Sequence, residues 1–164
     1  MKMKKLFIVM VFVAVMLVPG WGVTAELKIG IQAEPNSMDP HYHNLTPNNM
    51  MAKYTFDPLI IQDHKQNLAP GLAVSWKPIN DLIWEFKLRR DVKFHDGSAF
   101  TAEDVKFTLE RAPNVPNSPS SFGRFINHVK KVEIVDPHTI RFTTADPFPL
   151  MATYMSGFVI ISKK

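Results

Sequence analysis

The first 25 residues decide where this chain folds, and so what can hold it together. Met1-Lys2-Met3-Lys4-Lys5 gives a positive start, Leu6–Val18 is an unbroken apolar run of thirteen residues, and Pro19-Gly20-Trp21-Gly22 breaks it. Val23-Thr24-Ala25 then places small residues where a signal peptidase cuts. The run is too short for a membrane-spanning helix, which needs about 20 apolar residues. The expectation is an export signal over residues 1–25, cleaved after Ala25, with a mature chain from Glu26 to Lys164 and no stable membrane insertion.

An exported chain with no cysteine has no disulfide and must rely on a packed core. It also has no cysteine at Glu26 to carry a lipid anchor. Without Lys2, Lys4 and Lys5 the net charge falls from +4 to +1. No basic patch argues for nucleic acid or anionic lipid. A near-neutral exported protein suits a diffusing small-molecule partner. Thirteen prolines, clustered in connecting segments, predict many short elements rather than a helical bundle.

Leu27, Ile29 and Ile31 alternate with polar neighbours and predict a first strand. Glu34-Pro35-Asn36-Ser37 is turn chemistry, and Asp39 to Asn49 reads as loop. Thr46-Pro47 predicts a helix start with Thr46 as cap, Met50, Met51 and Tyr54 on its packed side, and a stop at Asp57-Pro58. Leu59-Ile60-Ile61 reads as a short buried strand and Leu68–Ala73 as a connector. Trp84–Arg89 alternates cleanly as a strand. His95-Asp96-Gly97-Ser98 is a turn with Gly97 free to take positive φ. Thr101 and Asp104 form a capping box, with Phe100 and Val105 as its hydrophobic staple, and Pro113 ends that helix. Val129 to Thr144 predicts a hairpin through Asp136-Pro137-His138, with Val132 and Ile134 on one face and Ile140 and Phe142 answering them. Phe158–Ile161 reads as a last short strand.

Few residues suggest chemistry. His41 and His43 alternate as metal ligands would, but two histidines fall short of a closed site. The plainer reading is a polar loop at a cleft edge, with no metal and no cofactor. His95-Asp96 lacks a partner nucleophile, and Ser37 and Ser98 lack the elbow context of an exported hydrolase. Glu103 and Asp104 are explained by the helix dipole. Trp76, Trp84 and Phe86 are core residues rather than a stacking platform. No catalytic residue is assigned, and an exported enzyme is the weaker alternative.

The run from Trp84 through Phe94-His95-Asp96-Gly97-Ser98 to Val105 resembles the shared signature of the family 5 solute-binding proteins. Glu34-Pro35 with Ser37-Met38-Asp39-Pro40-His41, Asp57-Pro58-Leu59-Ile60, Leu68-Ala69-Pro70-Gly71-Leu72-Ala73-Val74-Ser75-Trp76, Asp136-Pro137-His138-Thr139 and Ile160-Ile161-Ser162-Lys163-Lys164 follow the same order. The resemblance implies a mixed α/β (α+β) fold of the type II periplasmic binding protein kind. Residues 26–164 would be the N-terminal part only of a two-lobed receptor, because family members are much longer. It further implies a periplasmic, non-lipidated substrate-binding component of an ABC importer. That component delivers a peptide or related small solute to an inner-membrane permease and hydrolyses nothing. A sensory or chaperone role on the same scaffold is the other alternative. Within this chain the loop after the first strand would approach the ligand. Asn44 and Thr46 are its expected hydrogen-bonding groups, Tyr42 and Met50 its apolar contacts, and His43 a further contact.

Overall fold

A computed structural model describes residues 26–164; the export signal expected over residues 1–25 lies outside them. The chain divides into a unit up to Gly30 and a unit from Ile31 to Lys164. In the first unit, Glu26–Gly30 adopts neither helix nor strand, and Leu27 and Ile29 are exposed. Ile31, in the second unit, is exposed and irregular too. The strand expected there is absent. Alternation specifies two faces, but a strand also needs a neighbour for its N–H and C=O groups, and residues 26–31 have none among the described residues.

The second unit runs in order through α1 (Thr46–Thr55), β1 (Ile60–Gln62), β2 (Leu68–Pro70), β3 (Ala73–Asn80), β4 (Ile83–Leu88), α2 (Ala102–Arg111), a 3-10 turn (Ala112–Asn114), α3 (Gly123–Ile126), β5 (Val129–Asp136), β6 (Thr139–Thr144) and α4 (Met151–Tyr154). β1 and β2 form a small antiparallel hairpin, and the other four strands form an antiparallel sheet in the order β3-β4-β6-β5. The segment Leu68–Pro70, expected as connector, is thus a strand, paired through Ile61↔Ala69. The strand expected at Phe158–Ile161 is a single antiparallel bridge, Pro58↔Val159.

Strand register shows why this sequence makes this sheet. Trp76, Phe86, Ile140 and Ile134 align as one row across all four strands, and Pro78, Trp84, Phe142 and Val132 as another. Both rows face the core; Phe86 and Phe142 have no accessible surface, and their ring centroids lie 4.9 Å apart. Between them runs a row on the other face, Lys77–Glu85–Arg141–Glu133, with charges that alternate strand by strand. Arg141 reaches Glu85 at 2.8 Å, and Lys87 lies 3.6 Å from it. The hydrogen bond from Arg141, together with the charges of Lys87, Arg141 and Lys77, holds the Glu85 carboxyl below the usual carboxylate range against the opposing effect of burial. Period-2 alternation therefore fixes both the packed face and a neutralised outer face.

α2 forms as the capping signature predicts. The backbone N–H and hydroxyl of Thr101 both donate to the Asp104 carboxylate, at 2.9 and 3.1 Å, and Phe100 and Val105 are buried as the staple. Gly97 takes φ 83° in the preceding turn. The C-terminal residues then pack along α2. The Thr108 hydroxyl accepts the Ile161 N–H at 3.1 Å, Asp104 accepts the Lys163 N–H at 3.1 Å, and the Asp57 carbonyl accepts the Ile160 N–H at 2.9 Å.

Gly71 sits where β2 turns into β3. Leu72 and Ala73 donate to the carbonyls of Pro58 and Leu59, at 3.0 and 2.9 Å. A Cβ at position 71 would stand 2.6 Å from the Pro58 oxygen. Backbone cannot yield as a flexible side chain can, so Gly71→Ala is expected to cost about 2 kcal/mol of stability, in the range for overpacking. Urea denaturation checks this, and an unchanged midpoint would contradict it.

Candidate functional site

The segment from Asn36 to Asn49 is a strap bound to the body at two places and closed on itself at a third. At the first, Arg111, the last residue of α2, grips Asp39 with both ends of its guanidinium: Nη1 to Oδ1 at 3.1 Å and Nη2 to Oδ2 at 2.6 Å. Nη1 also lies 3.0 Å from His41 Nδ1, while His41 Nε2 lies 2.8 Å from the Val159 carbonyl. At the second, His43 pairs with Ser120 as a parallel bridge, and the Asn44 N–H donates to the Ser120 carbonyl at 2.8 Å. At the third, Asn48 in α1 donates to Asn36 Oδ1 at 2.9 Å and to the Ser37 carbonyl at 3.3 Å. The Asn36 amide then donates to His43 Nδ1 at 3.0 Å.

Burial raises the pKa of Asp39, but the Arg111 hydrogen bond, the His41 N–H and the nearby positive charge outweigh it and hold the carboxyl below its usual range. Burial pushes the His41 imidazole down, and the Arg111 charge adds to that. The Val159 carbonyl and Asp39 oppose it without prevailing.

The five expected contact residues lie on or beside this strap. Tyr42, His43 and Asn44 are half-buried, and the Asn44 side-chain oxygen accepts from Asn49 at 2.9 Å. Thr46 is exposed, and Met50 is partly exposed. Thr46 is the first residue of α1 rather than its cap; Leu45 holds the cap position with no side-chain bond, and Pro47 occupies the first turn. The expected packed face of α1 is also reversed. Asn48 and Ala52 are buried, whereas Met50 and Met51 are each 37% exposed and Tyr54 is 70% exposed. The bonds from Asn48 to the strap turn that polar position inward and carry the apolar stripe outward.

His41 departs most from its expected place at a cleft edge. Its ring has no accessible surface and stands edge-on to Phe122, 5.7 Å between centroids. Both ring nitrogens already have partners, so His41 and His43 do not form a metal pair. Among the described residues, no group of three or more His, Asp or Glu side chains is placed to hold a metal ion. Asp96 accepts the Ser98 N–H and hydroxyl at 2.8 and 2.6 Å, which makes it a turn residue rather than a partner for His95. The roles of Arg111 and His41 are hidden in the sequence because their contacts span 70 and 118 positions. The Asp39-Pro40-His41 triplet is the one local signal of them.

None of the five residues lines the cavity of about 90 Å³ bordered by Phe56, Leu72, Val92, Phe94, Phe100 and Ile160. Thr46 and Met50 are exposed, whereas Tyr42, His43 and Asn44 are partly covered. No helix among the described residues is long and apolar enough to cross a membrane.

Comparison with known proteins places this sheet, capped helix and strap in one class. Residues 67–164 match the model of the bacterial extracellular solute-binding proteins, family 5 Middle. The chain belongs to that family. It is 30% identical to the periplasmic oligopeptide-binding protein OppA of Escherichia coli K12, over 71% of this chain and 24% of that protein. It is also 30% identical to the periplasmic murein peptide-binding protein MppA of the same organism, over 81% of this chain and 28% of that one. Its fold matches the solved structure of the ABC transporter-associated periplasmic binding protein DppA from Helicobacter pylori in complex with peptide STSA. The TM-score is 0.68 at 26% identity, covering 80% of this chain and 30% of that one. The type II periplasmic binding protein architecture is therefore present in part, and the chain spans about a quarter of the length of the relatives it matches.

Proposed function

We propose that this chain supplies one part of an extracytoplasmic substrate-binding component of an ABC importer. The component takes up peptides or a related small solute and hands them to an inner-membrane permease. In this reading residues 1–25 direct export to the periplasm, the mature protein carries no lipid, and it binds without catalysing. The observation that carries the reading is the family match, together with a strap whose polar and apolar groups are partly exposed. The outward Met50, Met51 and Tyr54 of α1 are consistent with a surface that other parts of a receptor cover.

Ligand would lie between two lobes that close by a hinge, and an extended peptide would be held largely through its main chain. Tyr42 and Met50 would offer apolar contact, and His43, Asn44 and Thr46 polar contact. The test is a chimera in which residues 26–164 replace the matching stretch of the murein peptide-binding relative, titrated calorimetrically with murein tripeptide. Tyr42→Ala and Asn44→Ala are each expected to weaken binding about tenfold, equivalent to about 1.4 kcal/mol. Unchanged affinity in both variants would remove the strap from the ligand site.

A further inference from the structure

We infer that Arg111 is a positioning residue: through Asp39 and His41 it sets the place of the Tyr42–Thr46 strap, and protonation of His41 undoes that placement. The solute-binding reading above enters only in what the strap is for.

The bonding rules assign every proton at this junction. A carbonyl can only accept, so His41 Nε2, 2.8 Å from the Val159 oxygen, carries the hydrogen. A guanidinium can only donate, so Nδ1, 3.0 Å from Arg111 Nη1, presents its lone pair. The imidazole is therefore neutral and held in one tautomer. Four chain segments meet on this ring: the strap, the end of α2, the residue before α3 and the residues before Ile160. The strap continues from it without slack. The His41 N–H donates to Asp39 Oδ1 at 3.0 Å and the Tyr42 N–H to the Asp39 carbonyl at 3.2 Å. Two residues on, Asn44 bonds Ser120. Releasing Asp39 and His41 would free residues 42–46 from their anchor on α2.

The junction is sensitive to acid because of what faces the ring. Arg111 approaches from α2, Asp39 lies on the strap itself, the Val159 carbonyl approaches from the C-terminal segment, and Phe122 from the residue before α3. A proton on Nδ1 would set donor against donor and cation against cation at 3.0 Å. The sign follows from the lowered His41 pKa. Above the ordinary value of 6.5 both folded and unfolded chains hold neutral histidine, and the contribution is fully present. As pH falls below 6.5 the unfolded chain takes up the proton first, so stability is lost progressively toward the folded value. Asp39 adds a second loss only at lower pH, below its ordinary 3.8.

Amide hydrogen exchange on the full chain, corrected for intrinsic rates, tests this without any ligand. Its failure would leave the solute-binding reading standing, and failure of that reading would leave the junction intact. At pH 7.5, Arg111→Met is expected to reduce protection at the amides of His41, Tyr42 and Asn44 at least tenfold, with β4 and β6 amides within twofold of the parent. In the parent chain, protection at those three amides is expected to fall between pH 7.5 and 5.0 relative to β4 and β6. His41→Gln keeps one donor and one acceptor but gains no proton, and is expected to hold its protection over that range. Unchanged strap protection in Arg111→Met, or equal loss in strap and sheet, would overturn the inference. So would a pH profile for His41→Gln that follows the parent, a comparison that stands even if Arg111→Met fails to fold.

Discussion

Titration of this chain with murein tripeptide is expected to give no saturable binding tighter than about 1 mM, a free energy of about −4 kcal/mol. The reason is enclosure. Ligand sites bury most of a small ligand's surface, and none of the expected contact residues lines the cavity bordered by Phe94 and Phe100. The relatives that carry peptide names are about four times as long as the part matched here. In the proposed reading this chain is one side of a cleft, which offers a peptide a few hydrogen bonds that water already supplies, each worth only about 1 kcal/mol net. Association must also offset lost translational and rotational freedom, which costs at least about 4 kcal/mol. Isothermal titration calorimetry decides the matter. A micromolar, saturable isotherm would mean that the strap and α1 form a complete site by themselves.

The second large effect concerns stability. Phe86→Ala is expected to destabilise the chain by about 4 kcal/mol, the middle of the range for truncating a buried aromatic. Phe86 has no accessible surface, lies in register with Trp76 and Ile140, and packs on Phe142 at 4.9 Å. No neighbour can collapse into the space without disturbing two strands. Small domains have only about 5–15 kcal/mol of net stability, so the variant should melt at a much lower urea concentration and expose dye-binding apolar surface. Leu150→Ala, at a site 52% exposed, is expected to shift stability by less than about 0.5 kcal/mol. Similar midpoints for the two variants would show that the paired rows of the sheet are not the core.

Features carried by a few neighbouring residues are legible in the amino-acid sequence. The Thr101–Asp104 box, the Gly97 turn and the Val129–Thr144 hairpin each rest on contacts between nearby positions. The alternation of Trp84, Phe86 and Leu88 is as legible, although the strand it forms is completed by the distant β6. The strand expected at Leu27–Ile31 rests on contacts outside its own window, and the same pattern there leaves exposed, irregular chain. α1 shows the opposite failure. Its apolar residues do form one stripe, but Asn48 is bonded to Asn36 and Ser37, and those bonds turn the stripe outward.

Local chemistry written in the sequence determined the capped helix, the hairpin and the two-faced strands, because each needs only residues a few positions apart, and the order of blocks from Glu34 to Lys164 determined membership of the family. Tertiary structure alone decided the inward face of α1, the burial of His41 and the grip of Arg111 on Asp39. These depend on partners beyond each local window: His41 and Asn48 are buried and the Arg111–Asp39 pair is partly exposed, and a buried polar group left unpaired costs more than an exposed methionine.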